Sequence, residues 1–381
     1  MDRRQWLQRA GASAAGVLLG TRGSRAASDA AHTPVTEAYH PRDVQGRVPA
    51  DADAVMLDSN ENPLGPSPAA REVVMDAFDR SFRYPGEAYE TLVGKIAERE
   101  DVPPDHIVLG TGSTEVLCMA GAAYGLHGGE VVTGAPSYKG LTRYVDTVGG
   151  YVNAVPLTDA LSLDLPAMDR RTTASTSLVF VCNPNNPTGT VVDPDALQAF
   201  CQDVSRRATV FVDEAYIDFV DDAKRAATVD LVRQGENVIV ARTFSKLFGM
   251  AGLRVGYGIA RPDIVKRLDA YSMGMPNMVG LRAAAASLDD TAFQERSRTQ
   301  ITKARQYTCD VLDDMGLDYA ESQSSFVFFR TGRDIQAVQA DMADEGVLVG
   351  RPFPPYTDWC RVSMGTMDNM RAFESALRTV V

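Results

Sequence analysis

From about residue 90 onward, segments with helical spacing of apolar positions alternate with short runs rich in β-branched residues. The runs cover 107–109, 130–133, 178–182, 210–212, 238–241 and 255–259. Short apolar runs separated by helices predict an α/β fold with a mostly parallel sheet. Further upstream, the spacing predicts a helix over 69–81, and the polar, Pro- and Ala-containing stretch 31–55 reads as an arm. No fixed-period repeat interrupts the pattern. Mostly parallel sheets bind ligands outside the carboxyl ends of their strands. The residues that follow each run are therefore the candidates for chemistry.

The first thirty residues read differently. Arg3 and Arg4 precede a modest apolar run over 10–20 and small residues around Ser24, Ala26 and Ala27. That is the layout of a secretory leader. The run is shorter than the ~20 apolar residues a transmembrane helix needs, so no membrane anchor is expected. Paired arginines followed by Trp6 and Leu7 are similar to a twin-arginine signal, which exports proteins already folded. The expectation is export, with a periplasmic destination. A frayed basic terminus without an address would leave the protein cytoplasmic.

Length and charge narrow the class. At about 100–200 residues per domain, 381 residues predict two domains, and 45% hydrophobic with 23% charged residues excludes a disordered or fibrous chain. The formal net charge of −12 disfavours nucleic acid or anionic lipid as a bulk-charge partner. Five cysteines (Cys118, Cys182, Cys201, Cys309, Cys360) form no CxxC, and four histidines show no metal-ligand spacing. The cysteines read mainly as buried small apolar residues, with one disulfide permitted in an oxidising compartment.

Four segments follow strand ends. The first is Gly110-Thr111-Gly112-Ser113-Thr114-Glu115, leading into a helical run. Glycines there let backbone approach a ligand, and a helix start offers N–H groups to an anion. The same residues equally suit an ordinary helix cap. Asn183-Pro184-Asn185-Asn186-Pro187-Thr188-Gly189 places Asn amides at a second end. Asp213-Glu214-Ala215-Tyr216 places a carboxylate at a third, costly unless partnered. Arg242-Thr243-Phe244-Ser245-Lys246 supplies an amine that burial would make nucleophilic, with hydroxyls and Arg254 as a second half of an anion site. Lys246 would otherwise be a surface residue whose stem covers apolar area.

Taken in order, these segments supply what pyridoxal phosphate (PLP) requires: an amine for its aldehyde, an acid for its ring nitrogen, and donors for its phosphate. The chain resembles the fold-type I PLP-dependent aminotransferases, in the histidinol-phosphate aminotransferase-like branch of class I/II. The resemblance runs from Ser59-Asn60-Glu61-Asn62-Pro63 through Arg83-Tyr84-Pro85 to Arg361-Val362-Ser363-Met364-Gly365-Thr366. It implies a large domain with a mostly parallel, seven-stranded type of sheet over 83–280, and a small α+β domain from 31–82 and 281–381. It implies Lys246 as the lysine that binds the coenzyme and moves the proton, and Asp213 as partner of the ring nitrogen. Tyr216 and Asn186 match donors to the ring oxygen, and Tyr138 the aromatic stacked on the ring. Ser113, Thr114, Thr243, Ser245 and Arg254 match phosphate ligands. Tyr84 matches a phosphate contact made across to the partner subunit, which implies a homodimer. Arg361 matches the arginine whose planar fork holds the substrate carboxylate, with Asn186 as a second substrate-binding residue. The implied reaction is ping-pong transfer of an amino group from an L-amino acid, or a histidinol-phosphate-like amine, to a 2-oxo acid.

Two features depart from the histidinol-phosphate pattern. The position of an expected second arginine is Gly350, with Arg351 displaced by one. An exported enzyme would also rarely meet that cytoplasmic intermediate. Phe353, Tyr356 and Trp359 read either as the lining of a pocket for a bulky side chain or as packing residues. An amino-acid aminotransferase is favoured. The same parts support an exported racemase or a lyase, because all begin with the same substrate–coenzyme adduct. A non-catalytic PLP-binding protein is disfavoured by the presence of both Lys246 and Asp213. A fused transcription regulator lacks room for a DNA-binding module before residue 55.

Overall fold

The computed structural model describes residues 54–381. The expected leader and all but the end of the expected arm lie outside the described residues. Eleven strands occur among the described residues: β1 (Val55–Leu57), β2 (Ile107–Gly110), β3 (Glu130–Ala135), β4 (Tyr151–Pro156), β5 (Thr176–Cys182), β6 (Thr209–Asp213), β7 (Val238–Thr243), β8 (Gly256–Ile259), β9 (Phe326–Arg330), β10 (Val347–Val349) and β11 (Trp359–Ser363). Seven of them form one sheet in the order β2-β8-β7-β6-β5-β3-β4. Only β8 runs antiparallel to its neighbours. The fold is therefore α/β with a mostly parallel sheet, as the alternating pattern predicts.

The apolar runs are continuous because the sheet is covered on both faces. Val179, Val181, Val210, Val212, Val238 and Val240 enter one core. The residues between them, including Phe180, Phe211 and Ile239, enter a second. The helix Ser113–Gly125 lies in this second layer and buries residues around its whole circumference. The helix expected over 69–81 spans Pro68–Phe78; Ser67 caps it by accepting the Ala70 N–H at 3.1 Å, and Pro68 occupies its first turn.

Because β2 and β7 both run opposite to β8, the carboxyl ends of β2, β3, β5, β6 and β7 share one edge. Two small sheets are built from the flanking segments. Strand β1 pairs in parallel with β10, and β9 pairs antiparallel with β11, setting Arg361 opposite Phe328. The five cysteines are free, with Cys182, Cys201 and Cys360 buried. Among the described residues no helix is long and apolar enough to cross a membrane.

Candidate active site

Asp213 is the last residue of β6 and is 2% exposed. Its Oδ1 accepts the Ala215 N–H at 3.2 Å. Burial raises its pKa to about 7, while the Ala215 N–H and the Lys246 charge pull it back only in part. Three residues on, Tyr216 is buried, and burial drives its phenol well above its ordinary value. It therefore keeps its proton and remains a donor. Lys246 follows β7, with its Nζ 5.4 Å from the centre of the Tyr216 ring and donating to the Asn60 carbonyl at 2.9 Å. Burial lowers the Lys246 pKa to about 8, helped by the Arg361 and Arg254 charges and opposed by Glu61 and Asp213. An amine and an acid with shifted pKa values thus sit at neighbouring strand ends.

A second cluster lies along the same edge. The helix Ser113–Gly125 begins after Gly112 with no side-chain cap, so its first N–H groups face outward from the sheet edge. Gly112 has φ 74°, and a Cβ there would lie 2.3 Å from the Arg254 guanidinium. Only glycine lets that cation rest against the helix start. Arg254 Nη1 donates to Ser245 Oγ at 3.4 Å, and Thr243 Oγ1 donates to the same oxygen at 3.0 Å. Backbone N–H groups, two hydroxyls and a guanidinium converge from three strand ends. That set suits a phosphate dianion. Thr114 stands in the first turn of the same helix, next to Ser113. Tyr138, beyond β3, packs against the core that holds Cys182 and Leu117.

Arg361 enters from β11. It is 8% exposed; its Nη1 donates to Asn186 Oδ1 at 2.8 Å and its Nη2 to the Asp58 carbonyl at 2.6 Å. Its Nε is buried without a hydrogen-bond partner. Burial pulls the Arg361 pKa down to about 10. A cation held this way has capacity left for an anionic ligand. A Cβ on Gly350 would stand 2.7 Å from the Arg361 carbonyl oxygen, so the chain admits no side chain there. The neighbouring Arg351 is exposed, with its guanidinium 4.3 Å from the Phe353 ring centre. Phe353, Tyr356 and Trp359 cluster with Phe328; Trp359 stacks on it at 5.1 Å and Phe353 meets it edge-on at 5.9 Å. These aromatics pack on one another, and the Phe353 ring centre also lies 5.0 Å from the Arg361 guanidinium, so packing and a place beside the arginine go together.

Tyr84 is 94% exposed, unlike the other expected coenzyme contacts. The motif reading included Asn60 and Asn62 but gave them no role. Asn62 Nδ2 donates to the carbonyls of Lys246 and Leu247 at 3.0 and 2.9 Å, and to Ser297 Oγ at 2.6 Å. It staples the segment after β1 to the lysine loop. The available signal was two amides flanking Glu61 ahead of Pro63, residues suited to binding backbone.

The family model for "Aminotransferase class I and II" matches residues 52–377. The chain belongs to this family. A histidinol-phosphate aminotransferase of Moorella thermoacetica is 37% identical over 86% of this chain and 86% of its own length. An aromatic amino acid aminotransferase of Mycolicibacterium vanbaalenii is also 37% identical, over 84% of this chain and 90% of its own. The solved histidinol-phosphate aminotransferase of Sinorhizobium meliloti, in complex with PLP, superposes with a TM-score of 0.83 at 25% identity, covering 92% of this chain and 99% of that one. This aminotransferase uses PLP. Its residues fit the coenzyme: an amine with lowered pKa, a buried acid, and an uncapped helix start beside Arg254.

The acid makes a prediction about the cofactor-free aminotransferase. Between about pH 4 and 7 the folded protein holds a proton on Asp213 that the unfolded chain has released, so this group lowers stability as pH rises through that window. Asp213→Asn keeps the Ala215 bond and removes the charge. Its thermal midpoint should match wild type near pH 4 and exceed it by a few degrees near pH 8. Equal midpoints near pH 8 would contradict the burial argument.

Proposed function

We propose that this aminotransferase moves the amino group of an L-amino acid to a 2-oxo acid in a ping-pong exchange, and that its donor is an amino acid rather than histidinol phosphate. The observation that carries the reading is Arg361, a buried guanidinium tethered to Asn186 with Nε unpartnered. Its planar fork suits an α-carboxylate. Gly350 supports the choice of donor, because the position of the expected second arginine admits no side chain, and Arg351 rests instead on the Phe353 ring. The names of the relatives do not separate the two donors, since a histidinol-phosphate and an aromatic amino acid enzyme are equally similar.

When bound, PLP supplies an electron sink for the carbon that loses its proton. The chain's own residues do the rest. Lys246, whose lowered pKa leaves a fraction of it as free amine near neutrality, takes the α-proton and returns it. Asp213 would hold a proton at the ring nitrogen, and Tyr216 and Asn186 would donate to the ring oxygen. Tyr138 would cover the ring, and Ser113, Thr114, Thr243, Ser245 and Arg254 would hold the phosphate, joined by Tyr84 of the partner subunit in a homodimer. The leader-like residues 1–30 support export of the folded, loaded enzyme.

The test is an absorption titration of the PLP-loaded protein with single L-amino acids and with histidinol phosphate. The expected result is conversion of the bound coenzyme to its amine form by one class of amino acid and none by histidinol phosphate. Conversion by histidinol phosphate alone would overturn the choice of donor. Arg361→Lys keeps a positive charge and loses the fork. It should lower kcat/KM for the amino acid about 10- to 100-fold, mainly through KM, as expected for loss of a charge-assisted pair worth ~1.5–3 kcal/mol.

A further inference from the structure

Asn60 is 1% exposed and holds a left-handed backbone, φ 54°. Every polar atom it carries is engaged. Its N–H donates to Ser363 Oγ at 2.7 Å, and Ser363 Oγ donates back to Asn60 Oδ1 at 2.9 Å. Its Nδ2 donates to the Tyr216 hydroxyl oxygen at 3.1 Å. Its carbonyl accepts Lys246 Nζ at 2.9 Å. Ser363 fixes the amide's direction. With the amide turned over, Ser363 Oγ would face two donors and its own proton would lose an acceptor. Ser363 lies two residues from Arg361 on β11, so the two share a face of that strand. One residue therefore joins the lysine, the tyrosine and the strand of the carboxylate-binding arginine.

The contact with Tyr216 has a directional consequence. A phenol oxygen that receives a hydrogen bond from Asn60 must send its own proton elsewhere. We infer that Asn60 is a positioning residue, which turns the Tyr216 hydroxyl proton toward the coenzyme's ring oxygen and rests the Lys246 amine beside it. The inference depends on the roles of Lys246 and Tyr216 given above. A donor to the ring oxygen favours the deprotonated form of the lysine-bound coenzyme, so weakening that donor raises the pH at which its absorbance changes.

The test is a pH titration of the absorbance of the PLP-loaded protein for wild type, Asn60→Gly, Tyr216→Phe and the double variant. Glycine keeps the left-handed backbone and the carbonyl that Lys246 uses, and deletes only the side chain. Asn60→Gly is expected to raise the proton affinity at least threefold, about half a pH unit. In the Tyr216→Phe background the same change should have no further effect. A merely structural role would not depend on the tyrosine hydroxyl. No shift, or an equal shift in both backgrounds, overturns the inference. A wild type whose bound coenzyme shows no pH-dependent band overturns the assignment of Lys246 and the inference with it. If Asn60→Gly does not fold, Ser363→Ala frees the amide to turn, and the same cycle with Tyr216→Phe decides in the same way.

Discussion

Lys246→Ala is expected to lower amino transfer by at least ~10⁴-fold, because one side chain supplies both the nucleophile and the proton carrier. The environment explains why this lysine suits both tasks. Its amine lies among Tyr216, Asn60 and the Arg361 and Arg254 charges, and burial followed by those charges brings its pKa to about 8. Near neutral pH a useful fraction is then unprotonated. Lys246→Arg should be about as inactive as the alanine variant, since a guanidinium stays protonated and cannot form the same bond. Steady-state rates, together with borohydride fixation of PLP to the Lys246 peptide in wild type alone, check the claim. Activity within tenfold of wild type in either variant would sink it. Folding is not the cause of the loss. A lysine whose pKa is lowered by folding reduces stability below about pH 8, and that cost fades as pH rises toward the unfolded value. Cofactor-free Lys246→Ala should therefore melt no lower than wild type at neutral pH.

What could be read from the chain was whatever repeats locally. The runs of β5, β6 and β7 stand out because both faces of each strand enter a core. Strand β4 does not, because it forms the sheet edge: Tyr151 is 58% exposed, and only Val155 of the strand is buried. Strands β1 and β10 have three residues each, too few to show a period. The same distinction runs through the site. Asp213 ends a buried strand, and Asn186 and Lys246 come within four residues of one, so local pattern singles them out. Asn60 acts through Tyr216, Lys246 and Ser363, all more than 150 positions away, and no local pattern reports such contacts. Glu214 stands inside the Asp-Glu-Ala-Tyr segment yet carries no local sign of burial, because a glutamate is ordinarily solvated. It is 1% exposed.

Glu214 leads to the largest expected change in stability. Arg242, on β7, lies between two buried carboxylates. Its Nε and Nη2 donate to Glu214 Oε2 at 2.9 and 2.8 Å, and its Nη1 reaches both Glu100 oxygens at 2.9 and 2.8 Å. Tyr257 donates to Glu100 at 2.8 Å, and Thr228 donates to Glu214 through its N–H at 2.6 Å and its hydroxyl at 2.8 Å. Burial opposes the Arg242 charge, but Glu214 and Glu100 together hold its pKa well above the ordinary value. Arg242→Met leaves Glu214 buried without a cation and Glu100 with only Arg99, 3.7 Å away, and should cost ~3–5 kcal/mol of unfolding free energy. Denaturant unfolding of the PLP-loaded protein measures it. Adding Glu100→Gln and Glu214→Gln to Arg242→Met should recover much of the loss, because neutral amides carry a far smaller burial cost. If the triple variant is instead less stable than Arg242→Met alone, the Tyr257 and Thr228 donors and the Arg99 charge satisfy the carboxylates without Arg242. Burial of unpaired charge is then not the dominant cost at the sheet's central strands, one residue from Asp213.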